Sequence, residues 1–441
     1  MNALTLKVAV VTLGCAKNSV DSSYMRASIK RGGAEIVDDP SLADVVVVNT
    51  CGFIEPAKRE SIETLLAAAS LKGPGKSAKI VATGCLVERY GEELAAALPE
   101  VDLFVDLAGE REIWTLIERE ATGLNRGASE LRGDYGSRYA DGKPFDYLMI
   151  ADGCSNHCSY CAIPMIRGLY KSRPMREVLE EAEYLVNNGV KEISLIAQDT
   201  TAYGLDLYGE RKLPELVLKL ANLDGLQWLR ILYAQPQHMS EGLISAMRGA
   251  DKVCAYLDLP LQHASDRIIA SMRRWGNRQA YLNLIERLRS ELSTIALRTS
   301  VIVGYPGETE EDFEQLVEFV KRVEFDFLGI FEFSPEQGTP AAEMLDQVDP
   351  DVASERSREL SELQDGIMRR RASARVGRRA EILVEAIEDG NIVGRAPWQA
   401  PEVDGNVYLN GEAEIGKLLE VEITWTDGFD YKAKPAERSR Q

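Results

Sequence analysis

Cys154-Ser155-Asn156-His157-Cys158-Ser159-Tyr160-Cys161-Ala162-Ile163-Pro164 is the stretch around which the chain is organised. Just before it, Tyr147-Leu148-Met149-Ile150-Ala151 is an apolar segment that predicts a buried strand leading into a cysteine-bearing loop. Three residues separate the first two thiols and two separate the second pair. Three thiolates spaced in this way can hold three corners of a 4Fe-4S cluster. The missing fourth ligand leaves one iron open, as in a metal site built for chemistry rather than structure. The competing reading is a zinc site of Cys154, Cys158, Cys161 and His157. Against it, His157 adjoins Cys158, and neighbours on a tight loop rarely both reach one tetrahedral ion. Zinc sites also favour two CxxC pairs, and this region offers no second pair.

The stretch resembles the signature of the radical S-adenosylmethionine (SAM) superfamily. That resemblance implies that the open iron is chelated by the amino and carboxylate groups of the methionine part of SAM. It also implies that Tyr160, just before the third Cys, lies near the adenine.

Length and charge bound the rest. A chain of 441 residues suggests about three domains at roughly 150 residues each. Its 45% hydrophobic and 27% charged content is that of a soluble globular protein. The N-terminus runs within a few residues into Lys7-Val8-Ala9-Val10-Val11-Thr12, too short and wrongly flanked for a signal peptide. No apolar run approaches the ~18 residues of a membrane span. Seven Cys, six of them in two groupings, fit a reducing compartment and metal ligation better than disulfides. These features predict a cytoplasmic protein with no membrane partner. A net charge of −19 favours basic partners over nucleic acid phosphates, although solubility alone would also account for it.

The first domain repeats one pattern. Lys7 to Gly14 ends at Cys15, Ala43 to Thr50 ends at Cys51, and Lys79 to Gly84 ends at Cys85. Each run is β-branched and of strand length, and each precedes a predicted helix: Val20 to Arg31, Glu55 to Leu71, and Glu88 to Leu98. Alternating strands and helices imply a parallel sheet, whose strands all deliver their carboxyl ends to one edge. Cys15, Cys51 and Cys85 are therefore expected to converge as a second three-thiolate site, again one ligand short. The alternative is three unrelated buried thiols, since free Cys is a common core residue. Cys254, placed inside a strand within Val253 to Leu259, is read as such a thiol.

Residues 124–143 lack apolar periodicity and predict a linker between a first domain, 1–123, and a central one, 144–371. In the central domain, apolar strands at Tyr147, Glu192, Trp228, Ala255, Leu297 and Phe325 are separated by helical segments such as Met175 to Gly189 and Arg278 to Ser293. Six β/α units suggest a partial barrel rather than a closed eightfold one. In such barrels polar residues at strand ends face the substrate. Here those are Gln198, Asp199, Gln235, Gln262, His263 and the turn Gly304-Tyr305-Pro306-Gly307-Glu308, any of which could instead be an ordinary loop residue or helix entry. A helical stretch from Pro350 through Arg371 carries Leu360, Leu363 and Ile367 at helical spacing and closes on Arg369-Arg370-Arg371. That basic run could touch nucleic acid, but cations at a helix C-terminus explain it more simply.

The segment 372–441 changes to short alternating strands, at Ala380 to Ala386, Val407 to Leu409 and Leu418 to Trp425. Asp389-Gly390, Asp404-Gly405, Asn410-Gly411 and Asp427-Gly428 supply the turns. A small β-barrel of this kind often binds RNA. From Ala372 onward there are nine Lys or Arg against thirteen Asp or Glu, which suits a basic protein better than RNA.

A three-Cys α/β domain, a radical SAM barrel and a C-terminal TRAM-like barrel, in that order, resemble the methylthiotransferases. The strings Leu13-Gly14-Cys15-Ala16-Lys17-Asn18-Ser19-Val20-Asp21, Asp258 to Asp266 and Ala400 to Gly405 are similar to the RimO branch, which modifies a protein rather than tRNA. Gln262-His263-Ala264-Ser265 stands where tRNA-modifying branches usually show Gln-Ser-Gly-Ser, and Ala16 stands where the RimO branch commonly has Pro. The resemblance implies two 4Fe-4S clusters, on Cys15, Cys51 and Cys85 and on Cys154, Cys158 and Cys161. It further implies SAM as cofactor, with Tyr160, Gln198 and Gly304 as its neighbours. Beyond the cluster ligands no catalytic residue is assigned. The expected reaction cleaves SAM to methionine and a 5′-deoxyadenosyl radical, which takes hydrogen from the β-carbon of an aspartate in small-subunit ribosomal protein twelve; a second SAM gives the methyl group. The partners are then that basic protein, free or in the subunit, and an electron donor. A tRNA adenosine is the alternative substrate, and an RNA-binding scaffold with structural zinc is the alternative from outside the enzymes.

Overall fold

Valine-rich runs build the first sheet. Strands β1 (Lys7–Thr12), β2 (Glu35–Ile36), β3 (Val45–Thr50), β4 (Lys79–Gly84) and β5 (Leu103–Phe104) pair in parallel in the order β2-β1-β3-β4-β5. The two-residue periodicity of a strand sorts its side chains onto two faces. Val46 and Val48 pack with Leu65 and Ala68 of α2 (Glu55–Ala69) and with Leu86 and Leu94 of the helix Cys85–Ala97. Val45 and Val47 pack on the other side with Met25, Ile29, Ile113 and Ile117. A strand covered on both faces has to be apolar throughout, and β3 is buried at every position.

The computed structural model describes residues 5–72, 78–122 and 138–436. It contains two units: Met1–Asp141 with Asp152–Ser155 and Ala162–Tyr170, and Gly142–Ala151 with Asn156–Cys161 and Lys171–Gln441. Most of the expected linker, residues 124–137, lies outside the described residues.

In the second unit six parallel strands form two sheets of three. One runs Trp228–Ile231, Glu192–Ile196, Phe145–Met149, and the other Tyr256–Asp258, Ala296–Val303, Phe327–Glu332. The bridge between Leu229 and Val253 links them. Cys254 falls just ahead of the strand Tyr256–Asp258, not inside it, because its amide bonds to the Leu229 carbonyl at 2.9 Å and the ladder to Ala296 opens only at Tyr256. It remains a buried thiol, pushed up to about 12 chiefly by that burial.

The helix Pro350–Ser373 buries Leu360 and Ile367 and leads to a closed five-stranded barrel. Two of the barrel's strands, Asn391–Arg395 and Tyr431–Pro435, were not among those expected from the sequence. Within the basic run, Arg370 pairs with Glu324 and Arg371 with Asp326, each at 2.9 Å. The barrel is fastened to the six-stranded region by buried charge. Glu192 accepts from Arg230 at 2.7 Å and from the barrel's Arg395 at 2.6 Å, while Tyr256 donates to Asp404 at 2.6 Å.

Candidate functional site

The three strand ends of the first sheet carry the first thiol group. Cys15 is the N-cap of α1 (Ala16–Arg31), Cys51 directly follows β3, and Cys85 opens the helix after β4. The predicted helices after Cys15 and Cys85 therefore begin earlier than their apolar pattern suggested, at Ala16 and Cys85. Asn18 ties the ends together, donating to the Leu13 carbonyl at 2.9 Å and the Thr50 carbonyl at 3.1 Å. Thr50 donates to the Thr83 carbonyl at 2.5 Å, and the Ser61 hydroxyl meets both backbone groups of Cys51 at 2.9 Å. Gly14 has φ +89°, and a Cβ there would stand 2.8 Å from Cys51 Cβ and 3.0 Å from its sulfur. Only glycine lets the two loops approach so closely.

The three thiols lie within each other's electrostatic reach. Burial pushes the Cys85 thiol up to about 12, and Cys15 and Cys51 add to that shift while Arg167 opposes it. Cys51 is likewise raised, first by burial and further by Cys15. Arg167 lies at the end of the short helix Ile163–Arg167, its side chain 3% exposed. Its Nη2 reaches Asp21 at 2.7 Å, Asn18 Oδ1 at 3.1 Å and Cys85 Sγ at 3.6 Å, and its Nη1 reaches Asp152 at 3.3 Å.

These residues fit a thiolate-bound iron–sulfur group. A buried neutral thiol is a poor partner for a guanidinium, whereas a metal-bound sulfur is deprotonated outright and gives that donor an anion to meet. None of the seven cysteines is in a disulfide. Among the described residues, no three His, Cys, Asp or Glu side chains form the donor set of a single metal ion.

The loop Cys154–Cys161 is held by bonds from several elements. The Cys154 amide donates to the Gly168 carbonyl at 3.1 Å. Asn156 donates to Asp199 at 2.9 Å and accepts from Gln237 at 2.9 Å. Burial would raise Asp199, but hydrogen bonds from His238, Thr201 and Asn156 outweigh it and hold the carboxyl low. Ser159 donates to the Ser271 carbonyl and meets the Tyr305 hydroxyl, both at 2.9 Å. His157 is exposed, with φ +46°. Tyr160 packs on Ile268, Met272, Ile302 and Tyr305, and Cys158 and Cys161 both raise its hydroxyl's pKa, after burial. Arg274 donates to Cys158 Sγ at 3.8 Å and to the Pro260 carbonyl.

Gln198 is half-buried just past the strand Glu192–Ile196, and Gln235 is buried near Thr201, which its amide contacts at 3.0 Å. Gln262, at φ +77°, bridges to Val301. His263 is fully buried. The Ser265 amide donates to its Nδ1 at 2.9 Å, so Nε2 carries the proton toward Glu308 Oε1, 3.2 Å away. Glu308 also takes the Gly304 amide and an ion pair from Arg356 at 3.2 Å. Gly304 has φ +72°, and a Cβ there would collide with Ala353.

Sequence reasoning passed over Arg167, Arg274, Asn156 and Ser159. The available signal was position: each lies in or soon after a cysteine stretch, or in a loop beside it.

A model described as "Uncharacterized protein family UPF0004" matches residues 7–106, the radical SAM superfamily model matches 148–320, and the TRAM domain model matches 376–435. Two solved structures of radical SAM enzymes, both holding cobalamin, share the fold. TsrM from Kitasatospora setae has TM-score 0.56 at 16% identity, over 77% of each chain. OxsB has TM-score 0.51 at 12% identity, over 82% of this chain and 56% of its own. The fold and its cysteine loop define a radical SAM enzyme, and that family brings a 4Fe-4S cluster and SAM. Among curated proteins, the "Ribosomal protein uS12 methylthiotransferase RimO" of Lachnoclostridium phytofermentans is 44% identical over 97% of this chain and 98% of its own. That of Geobacter sulfurreducens is 44% identical over 96% and 97%. The chain belongs to the RimO family of methylthiotransferases.

Proposed function

We propose that the chain adds a methylthio group to the β-carbon of an aspartate in ribosomal protein uS12, consuming one SAM for the radical step and another for the methyl group. In this reading Cys154, Cys158 and Cys161 hold the radical SAM cluster. Tyr160, Gln198 and Gly304 lie around its SAM, and Cys15, Cys51 and Cys85 hold a second 4Fe-4S cluster. When bound, a reduced cluster with one open iron supplies the one-electron cleavage of SAM that can break an unactivated C–H bond, which side-chain acids and bases cannot do at neutral pH.

The chain's own residues position and enclose. Asn156 and Ser159 fix the loop that bears Cys158 and Cys161. Asn18 and Arg167 hold the strand ends that bear the first group. Arg274 gives the Cys158 sulfur a cationic donor. An electron donor is a further partner, and the place of action is the cytoplasm, with the ribosome. Among the described residues no helix is long and apolar enough to cross a membrane.

The observation that carries this reading is the pairing of two three-thiol groups with 44% identity over 97% of the chain to a uS12 methylthiotransferase. Charge supports a basic protein over tRNA. On the small barrel the exposed Glu381 and Glu420 stand directly opposite each other, a like-charge pair that a bound cation would relieve. Cys154→Ala is expected to abolish SAM cleavage. Cys51→Ala is expected to keep cleavage but lose the methylthio product. Retained cleavage in Cys154→Ala would overturn the assignment of the radical cluster.

A further inference from the structure

We propose that Arg167 is a positioning residue that sets the reduction potential of the iron–sulfur cluster held by Cys15, Cys51 and Cys85, with Asp21 as its counterweight. This rests on the reading that the three thiols hold such a cluster. The geometry is that of one buried guanidinium shared between a carboxylate and a sulfur. Its Nη2 stands 2.7 Å from Asp21 and 3.6 Å from Cys85 Sγ. Hydrogen bonds and charges at cluster sulfurs are among the protein's main levers on potential, because reduction adds negative charge that a nearby donor stabilises. With a side chain only 3% exposed, Arg167 acts with little solvent screening.

The arginine is also delivered by a built element. It ends the helix Ile163–Arg167, and Ala162 and Ile166 from the same segment pack against Cys85. The next residue, Gly168, accepts the amide of Cys154 at 3.1 Å. A chain of bonded neighbours thus connects a ligand of one thiol group to a ligand of the other. Arg274 likewise places a guanidinium on one sulfur of the other group, 3.8 Å from Cys158 Sγ.

The sign follows from charge. Lysine at position 167 keeps a cation for Asp21. It replaces the fixed guanidinium N–H donors, one nitrogen of which faces both Asp21 and the sulfur, with a compact ammonium, so the donor on Cys85 is lost. Arg167→Lys should therefore lower the midpoint. Asp21→Asn removes the anion that offsets the guanidinium, so it should raise the midpoint. A residue that only supported the fold would not give opposite shifts.

The experiment uses the full chain with Cys154, Cys158 and Cys161 replaced by Ala, reconstituted anaerobically with iron and sulfide. Iron and sulfide are assayed, and the midpoint is read by EPR-monitored redox titration. The expected result is a cluster in the parent, a more negative midpoint in Arg167→Lys and a more positive one in Asp21→Asn. Each shift should change the reduced-to-oxidised ratio about tenfold, roughly 59 mV for one electron. If iron binds but the midpoints stay put or move together, the proposal is overturned while the cluster reading stands. If Arg167→Lys fails to load, the sign in Asp21→Asn decides. If the parent binds no iron, the cluster reading itself fails, and the proposal with it.

Discussion

The Nη2 of Arg167 lies 3.6 Å from the sulfur of Cys85, although 82 residues separate them in sequence. The segment that carries this arginine begins immediately after Cys161. A strand-end cysteine of the first sheet and the stretch following the radical SAM loop are therefore parts of one packed arrangement. Within that arrangement Arg167 ties Cys85 to Asp21, and its neighbour Gly168 accepts the amide of Cys154.

Asn156 is the clearest test of how that loop is held. Its amide makes one bond to Asp199 and accepts another from Gln237, both at 2.9 Å. Asn156→Ala removes both and leaves the buried Asp199 one donor short. Groups that orient metal ligands typically matter by about 10–100-fold. A loss of that size in the rate of SAM cleavage is expected, measured by 5′-deoxyadenosine release. Unchanged cleavage would mean that the cysteines hold the loop by themselves.

Glu110 predicts a pH effect on stability. Burial first, and then the charge of Asp21, push its carboxyl from 4.5 up to about 8, while Thr83 donates to it at 2.9 Å. The folded state thus binds this proton more tightly than the unfolded chain. The stabilisation is full below 4.5 and is lost as pH rises through about 8. Glu110→Gln should leave thermal stability nearly unchanged at the acid end and raise it above about pH 8. A variant that loses stability equally at all pH values would contradict this.

Arg395 tests the fastening of the small barrel. It is buried and pairs with Glu192 at 2.6 Å and with Glu385, while Arg230 shares Glu192 at 2.7 Å. Removing one partner of a buried network strands the other charges and costs about 3–5 kcal/mol. Arg395→Met is expected to lower the denaturation midpoint accordingly. Arg378→Met, at the surface of the same barrel, should change little. Equal, small effects in both would show that the network contributes no net stability.

Much of this was legible in the sequence. Val45 to Val48 announces a strand buried on both faces, and a parallel sheet then brings Cys15, Cys51 and Cys85 to one edge. The small barrel was legible in outline, but Asn391–Arg395 and Tyr431–Pro435 are too short and mixed in composition to stand out before pairing. Arg167 was invisible for another reason. A charge in the apolar run Ile163-Pro164-Met165-Ile166 has meaning only beside its partner, and Asp21 lies 146 residues away. Likewise Gly304 reads as a loop glycine, whereas its constraint comes from Ala353 on a later helix.

The most direct test of the central claim is mass spectrometry after an anaerobic reaction of the reconstituted protein with SAM, sulfide and reductant. Purified uS12 is supplied in one tube and tRNA in another. The expected result is a methylthio mass gain on an aspartate of uS12 and none on tRNA. A gain on a tRNA adenosine alone would contradict the substrate assignment while leaving the radical SAM chemistry in place.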